Sequence, residues 1–177
     1  MNQKTNHMKK FIILALSIPS FLLGQSSLES KVLKELNKYR GQFKLSSLPY
    51  NAKASAASRH HSSWISQSGV LSHEENKDVQ NFQELRTMQD RNNFFKVEMF
   101  CEIVTFVPSN GFIDPLTEDQ IAEAAIKSFA SSPGHNQAMK ILIREGDQVG
   151  VAIGVVRGKD LTAITINFVE LSNSNNF

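Results

Sequence analysis

The chain reads as an α+β domain with an antiparallel sheet, and three features of its pattern predict that class. Apolar residues recur at helical spacing early in the chain, a further helical stretch opens on a capping sequence at Thr117, and residues 149–168 alternate between apolar and small or polar positions. A length of 177 residues suits one domain, and 41% hydrophobic content is that of an ordinary packed core rather than of a disordered chain.

The first stretch reads as an address. Lys4, Lys9 and Lys10 precede an apolar run over 11–23, and Gly24, Gln25, Ser26 and Ser27 follow as the small, polar stretch of a cleavage site. A secretory signal over 1–25 is therefore expected, with 26–177 as the domain proper. Ser17, Pro19 and Ser20 interrupt a run already shorter than the roughly 20 apolar residues of a spanning helix, so no stable membrane anchor is expected. The single cysteine, Cys101, is too distant to carry a lipid beside that run. Together these features predict a secreted or periplasmic protein.

Leu28, Val32, Leu36 and Tyr39 predict a helix over 28–40, capped by Ser26 or Ser27 and ended at Gly41. A second helix is expected over 53–67, with Ala54, Ala56, Ala57, His60, Trp64 and Ile65 on one face and Gly69 as its stop. Residues 74–93 are polar, with one or two turns expected around Phe82, Leu85 and Met88, and aromatic and β-branched residues then predict a strand over 94–107. Thr117 and Gln120 form a capping box for a helix carrying Ile121, Ala125 and Phe129, and Ser132 and Pro133 suit the start of a short helix after it. Val149, Val151, Ile153 and Val155 alternate with Gly150, Ala152 and Gly154, and Ile164, Ile166 and Phe168 alternate likewise after a turn at 157–160.

Charge excludes two classes of partner. Three of the 19 basic residues and none of the 17 acidic ones lie in the first 25 positions, which leaves the remaining chain at −1. Neither nucleic acid nor an anionic membrane surface is expected to bind such a domain. A lone cysteine permits no internal disulfide, so the core alone must hold the fold.

The order of several weak motifs carries more information than any one of them. Asn37, Arg40 and Leu48 are followed by Ala56, Ala57 and His60, then Leu71, Ser72 and His73, then Arg86 ahead of Cys101, Glu102 and Ile103. Phe129 with Ser131, Ser132, Pro133, Gly134 and His135 comes next, and Gln148, Val149, Gly150, Val151 and Ala152 precede Asn167 and Phe168. This succession resembles the CAP superfamily of cysteine-rich secretory proteins, antigen 5 and pathogenesis-related 1 proteins, in its bacterial SCP-like form. The resemblance implies an α-β-α sandwich with a central antiparallel sheet, helices on both faces, and a cleft over the sheet.

Carried over residue by residue, the resemblance places His73, Glu102 and His135 in that cleft. The Asn that follows the family's Glu is replaced here by Ile103, and no acid lies between Glu123 and Glu145 to serve as the family's second carboxylate. Glu123, six positions before Phe129, falls on another helix face. Two imidazoles and a carboxylate form a donor set suited to Zn²⁺ with an open position, so His73, Glu102 and His135 are the expected metal ligands. Glu98 is a rival to Glu102, because regular alternation would point both acids one way. His60 and His61 are neighbours on a helix and point to different faces, so no joint role is expected of them.

Ser131, Ser132 and Cys101 are the available nucleophiles. No elbow motif surrounds either serine, Ser132 is accounted for as a helix cap, and Cys101 is expected to face the core, away from Glu102. The function expected is a secreted binding module whose His/Glu cluster takes a divalent cation and a small-molecule, lipid or peptide ligand. The alternatives are a metal-assisted, peptidase-like hydrolase with Glu102 as base, and lipid or sterol binding as in some eukaryotic members.

Overall fold

A computed structural model describes residues 25–111, 114–143 and 148–171. Apart from Gln25, the expected signal segment lies outside the described residues. Among them, no helix is long and apolar enough to cross a membrane. The elements in order are α1 (Ser27–Gln42), α2 (Ala52–Ser68), α3 (Met88–Phe95), β1 (Met99–Pro108), α4 (Glu118–Ser131), α5 (Pro133–Met139), β2 (Val149–Arg157) and β3 (Leu161–Glu170).

Local chemistry sets most of these boundaries. Ser26 and Glu29 form a full capping box at α1, Thr87 and Asp90 another at α3, and Thr117 and Gln120 a third at α4. Gly69 closes α2 in the left-handed region at φ 68°. Helix α1 runs one residue past Gly41, and Ser132 precedes α5 without a side-chain capping bond, so Pro133 at the first turn marks that start. Phe94 and Phe95, expected in the strand, complete α3 instead. The Thr87 cap starts a helix that the spacing of Phe82, Leu85 and Met88 places several residues early.

The sheet has the order β1-β3-β2, antiparallel throughout, and it separates two layers. On one face lie α1, α4 and α5, where Leu36, Phe129, Ile153 and Ile166 are fully or almost fully buried within the main core. On the other lies α2, whose approach is close because its inward face carries Ala54, Ser55, Ala57, Ser58 and Ser62, all buried. A Cβ on Gly154 would overlap the Ser58 carbonyl carbon and the Arg59 nitrogen, so glycine is what lets helix and strand meet. The arrangement is the expected α-β-α sandwich.

Two residues of the motif succession have structural work in this frame. The Asn37 side chain brackets Leu48, accepting from its N–H at 2.8 Å and donating to its carbonyl at 3.1 Å. Arg40, fully buried, donates to the carbonyls of Ser46, Met139 and Ile141, which ties α1 to the end of α5.

One irregularity positions the site. Met99 pairs with Val169 and Cys101 with Phe168, so Phe100 is an extra residue in β1, a β-bulge. Met99 packs with Ala54 and Ala57 of α2, Cys101 packs towards the α1/α4 core, and Glu102 returns to the α2 side.

Candidate functional site

Glu102 sits at the base of a pocket beside β1 and is almost completely buried, at 4% side-chain exposure. Three groups converge on it. Arg91 of α3 places Nη2 at 2.9 and 3.0 Å from its two oxygens, His73 Nδ1 lies 3.1 Å from Oε1, and His61 Nε2 lies 3.6 Å from the same atom. Burial alone would raise the carboxyl's pKa. The His73 hydrogen bond and the charges of His61 and Arg91 outweigh it, so the net direction is down and the group is a held anion.

Behind Glu102 lies a second buried carboxylate. Glu75, with no exposure, meets His61 Nδ1 at 3.0 Å and His60 Nε2 at 3.4 Å, and accepts the Leu85 N–H at 2.6 Å. Burial pushes Glu75 up, yet the His60, His61 and Leu85 donors prevail and bring it down to about 2. Arg91 joins the two acids: Nη1 lies 3.5 Å from Glu75 and donates to the Leu85 carbonyl, while Nη2 also donates to the His73 carbonyl at 3.1 Å. One guanidinium thus fixes α3, the loop carrying His73, and β1.

His73 is the outward member, with its side chain 56% exposed. Its hydrogen bond to Glu102 raises its pKa, and with Nδ1 committed to the carboxylate its Nε2 is left for a ligand. The pocket above is about 390 Å³ and is walled by Glu74, Thr87, Met88 and Phe100 as well as His73 and Glu102. His135, in the first turn of α5, lies edge-on to Phe129 at 5.4 Å. Burial lowers its pKa and a charge on His73 lowers it further, and His135 is not among the residues that line the His73 pocket. His135 has no hydrogen bond to Glu102 among those described, and no three His, Cys, Asp or Glu side chains among the described residues are grouped to hold a metal ion.

Several expectations change here. Glu98 is not a rival, because the bulge breaks the alternation that would align it with Glu102; it stays exposed beside Lys53 and Lys96. Arg91, which is not part of the motif succession, reaches the cleft acid, whereas Arg86, which is, lies exposed. His60 and His61 do act on one group, since Glu75 lies between their two faces and each ring reaches one of its oxygens. Of the two, His61 is the one buried without exposure. Cys101 does leave β1 on the face opposite Glu102, but it is half-buried and borders two pockets; burial and the nearby Glu102 charge raise its thiol pKa. Ser131 donates its hydroxyl to the Ser128 carbonyl.

The fold and the site together define an α-β-α sandwich domain with a His–Glu cleft. The sequence profile of the cysteine-rich secretory protein family, CAP, matches residues 33–168, and the chain belongs to that family. No curated protein matches the sequence. Among solved structures, an extracellular protein containing an SCP domain from Bacillus anthracis is similar at a TM-score of 0.54 and 18% identity, over 80% of this chain and 40% of that one. An outer surface protein from Borrelia burgdorferi is similar at a TM-score of 0.56 and 7% identity, over 84% of this chain and 96% of that one. At such identities the likeness concerns the fold.

Proposed function

We propose that this protein is an exported ligand-binding CAP domain, with the pocket over His73 and Glu102 as its binding site. The observation that carries the reading is the state of Glu102. A general base needs an accessible oxygen and a pKa near the working pH, whereas Glu102 is almost completely buried, both its oxygens accept from Arg91, one also accepts from His73, and its pKa is displaced downward. That favours recognition over hydrolysis. Export is supported by the basic and apolar start of the chain, and it agrees with the extracellular and outer-surface descriptions of the two structural relatives.

For a divalent cation such as Zn²⁺, the donors that suit are the imidazoles of His73 and His135. Glu102 enters by holding the Nδ1–H of His73, which leaves Nε2 for the metal, an arrangement common behind metal-bound histidines. Isothermal titration with Zn²⁺ tests this: wild type should give binding heat that a His73→Ala, His135→Ala double variant lacks, and identical traces end the metal reading. Chelator-sensitive turnover of peptides or esters that Glu102→Gln abolishes would replace binding with hydrolysis.

A further inference from the structure

Strand β1 is the edge of the sheet, with β3 on one side only. Among the described residues, no main-chain hydrogen bond joins residues 100–107 to another segment on the opposite side. At the preceding residue the side chain of Asn92 does what a neighbouring strand would do: its Nδ2 donates to the Met99 carbonyl at 2.8 Å and its Oδ1 accepts the Met99 N–H at 3.1 Å. Immediately past that bracket the edge lies between two pockets. On the α2 side is the His73 pocket already described. On the α5 side is a larger one of about 660 Å³, walled by Pro133, Gly134, Ala138, Lys140, Ile141 and Leu142. Cys101 borders both, so the open edge at 100–102 is the ridge between them.

A strand laid along such an edge sends successive side chains to opposite faces, with same-face neighbours about 7 Å apart. We propose that an extended peptide adds to β1 as a fourth strand, its side chains entering the two pockets alternately. The α5 pocket takes the apolar positions, because Ala138, Ile141 and the exposed Leu142 line it. The His73 pocket takes uncharged polar ones, which reach the outer imidazole nitrogen. An uncharged peptide is favoured because Glu102 is already matched by Arg91, and because the remaining charges are scattered, with Glu74 on one side and Lys140 on the other. The inference rests on the reading of the His73 pocket as a binding site and specifies what fills it.

The test uses the pentapeptide acetyl-Thr-Leu-Thr-Leu-Thr-amide and two N-methylated forms, one methylated at both leucines and one at the central threonine. In a strand these two sets of N–H groups point in opposite directions within the sheet plane, so only one set pairs with β1. Titration of the ¹⁵N-labelled protein should move the amide signals of residues 100–102. One methylated form should bind at least tenfold more weakly than the parent while the other stays within about threefold, and Leu142→Asp, at an exposed position, should weaken the parent about tenfold. Equal behaviour of the two methylated forms, an unchanged Leu142→Asp, or no shift at millimolar peptide each overturns strand addition. The Zn²⁺ titration is read separately, so loss of this inference and loss of the binding-site reading are distinguishable.

Discussion

Replacing Arg91 with methionine should be among the most damaging single changes to this domain. The side chain has no exposure, and its two terminal nitrogens contact Glu75, both oxygens of Glu102, and the carbonyls of Leu85 and His73. Methionine retains much of the volume, so the effect isolates the charge and the hydrogen bonds. Removing one partner of a buried ion pair costs about 3–5 kcal/mol, because the acid left behind is desolvated and uncompensated. Two carbonyls lose donors as well, but water entering beside the half-exposed His73 offsets part of that, and we expect a net loss of about 4 kcal/mol. Against the roughly 5–15 kcal/mol of a typical domain the variant stays folded but weak. With a urea slope of about 2 kcal/mol per molar, its midpoint should fall by about 2 M. Adding Glu102→Gln to the Arg91→Met background removes one orphaned charge and should restore at least about 1 kcal/mol. A loss under about 1 kcal/mol, or strict additivity of the two changes, would refute the account of Arg91 as the counterion of this cleft.

Other perturbations probe separate parts of the argument. Gly154→Ala places a methyl group on the backbone of Ser58 and Arg59, which no rotamer change can relieve, and should destabilise by about 3 kcal/mol or more in thermal melts; a normal melting temperature would disprove the close approach of α2. Glu75 is held at about 2 against an ordinary 4.5, so its contribution is complete above pH 4.5 and disappears as pH falls towards 2. That amounts to about 3 kcal/mol, and Glu75→Gln should flatten acid unfolding over this window relative to wild type. His73 is raised and His135 lowered, so NMR titration should find His73 taking its proton at the higher pH; Glu102→Gln should bring His73 down, and the reverse order would contradict the His73–Glu102 bond.

The parts of this fold that were readable in advance are those decided by near neighbours. A cap at Ser26 or Ser27, the capping box at Thr117 and the alternation along β2 and β3 depend on residues a few positions apart, and the structure keeps them, with Ser26 as the cap. The cleft was readable only in outline. Spacing around Phe82 and Leu85 suggested turns, but nothing periodic in 72–87 shows that Glu75 folds back beneath α2 or that Arg91, not Arg86, reaches β1. On α2, a shift of one residue is 100° of rotation, and that difference separates His60, 17% exposed, from fully buried His61. The bulge at Phe100 leaves no local mark either, since an aromatic residue suits a regular strand equally well.

That bulge has a consequence for how this domain tolerates change. Met99 and Glu102 face the same helix although three positions separate them, and the intervening Cys101 faces the other way. Excising Phe100 would therefore leave every one of these side chains on its present face and restore unbroken pairing with β3. The ladder has no use for Phe100; its ring, 40% exposed, survives as one wall of the cleft. A lineage could lose or regain that single codon without refolding the sheet, reshaping the mouth of the site while its buried ion pairs stayed in place.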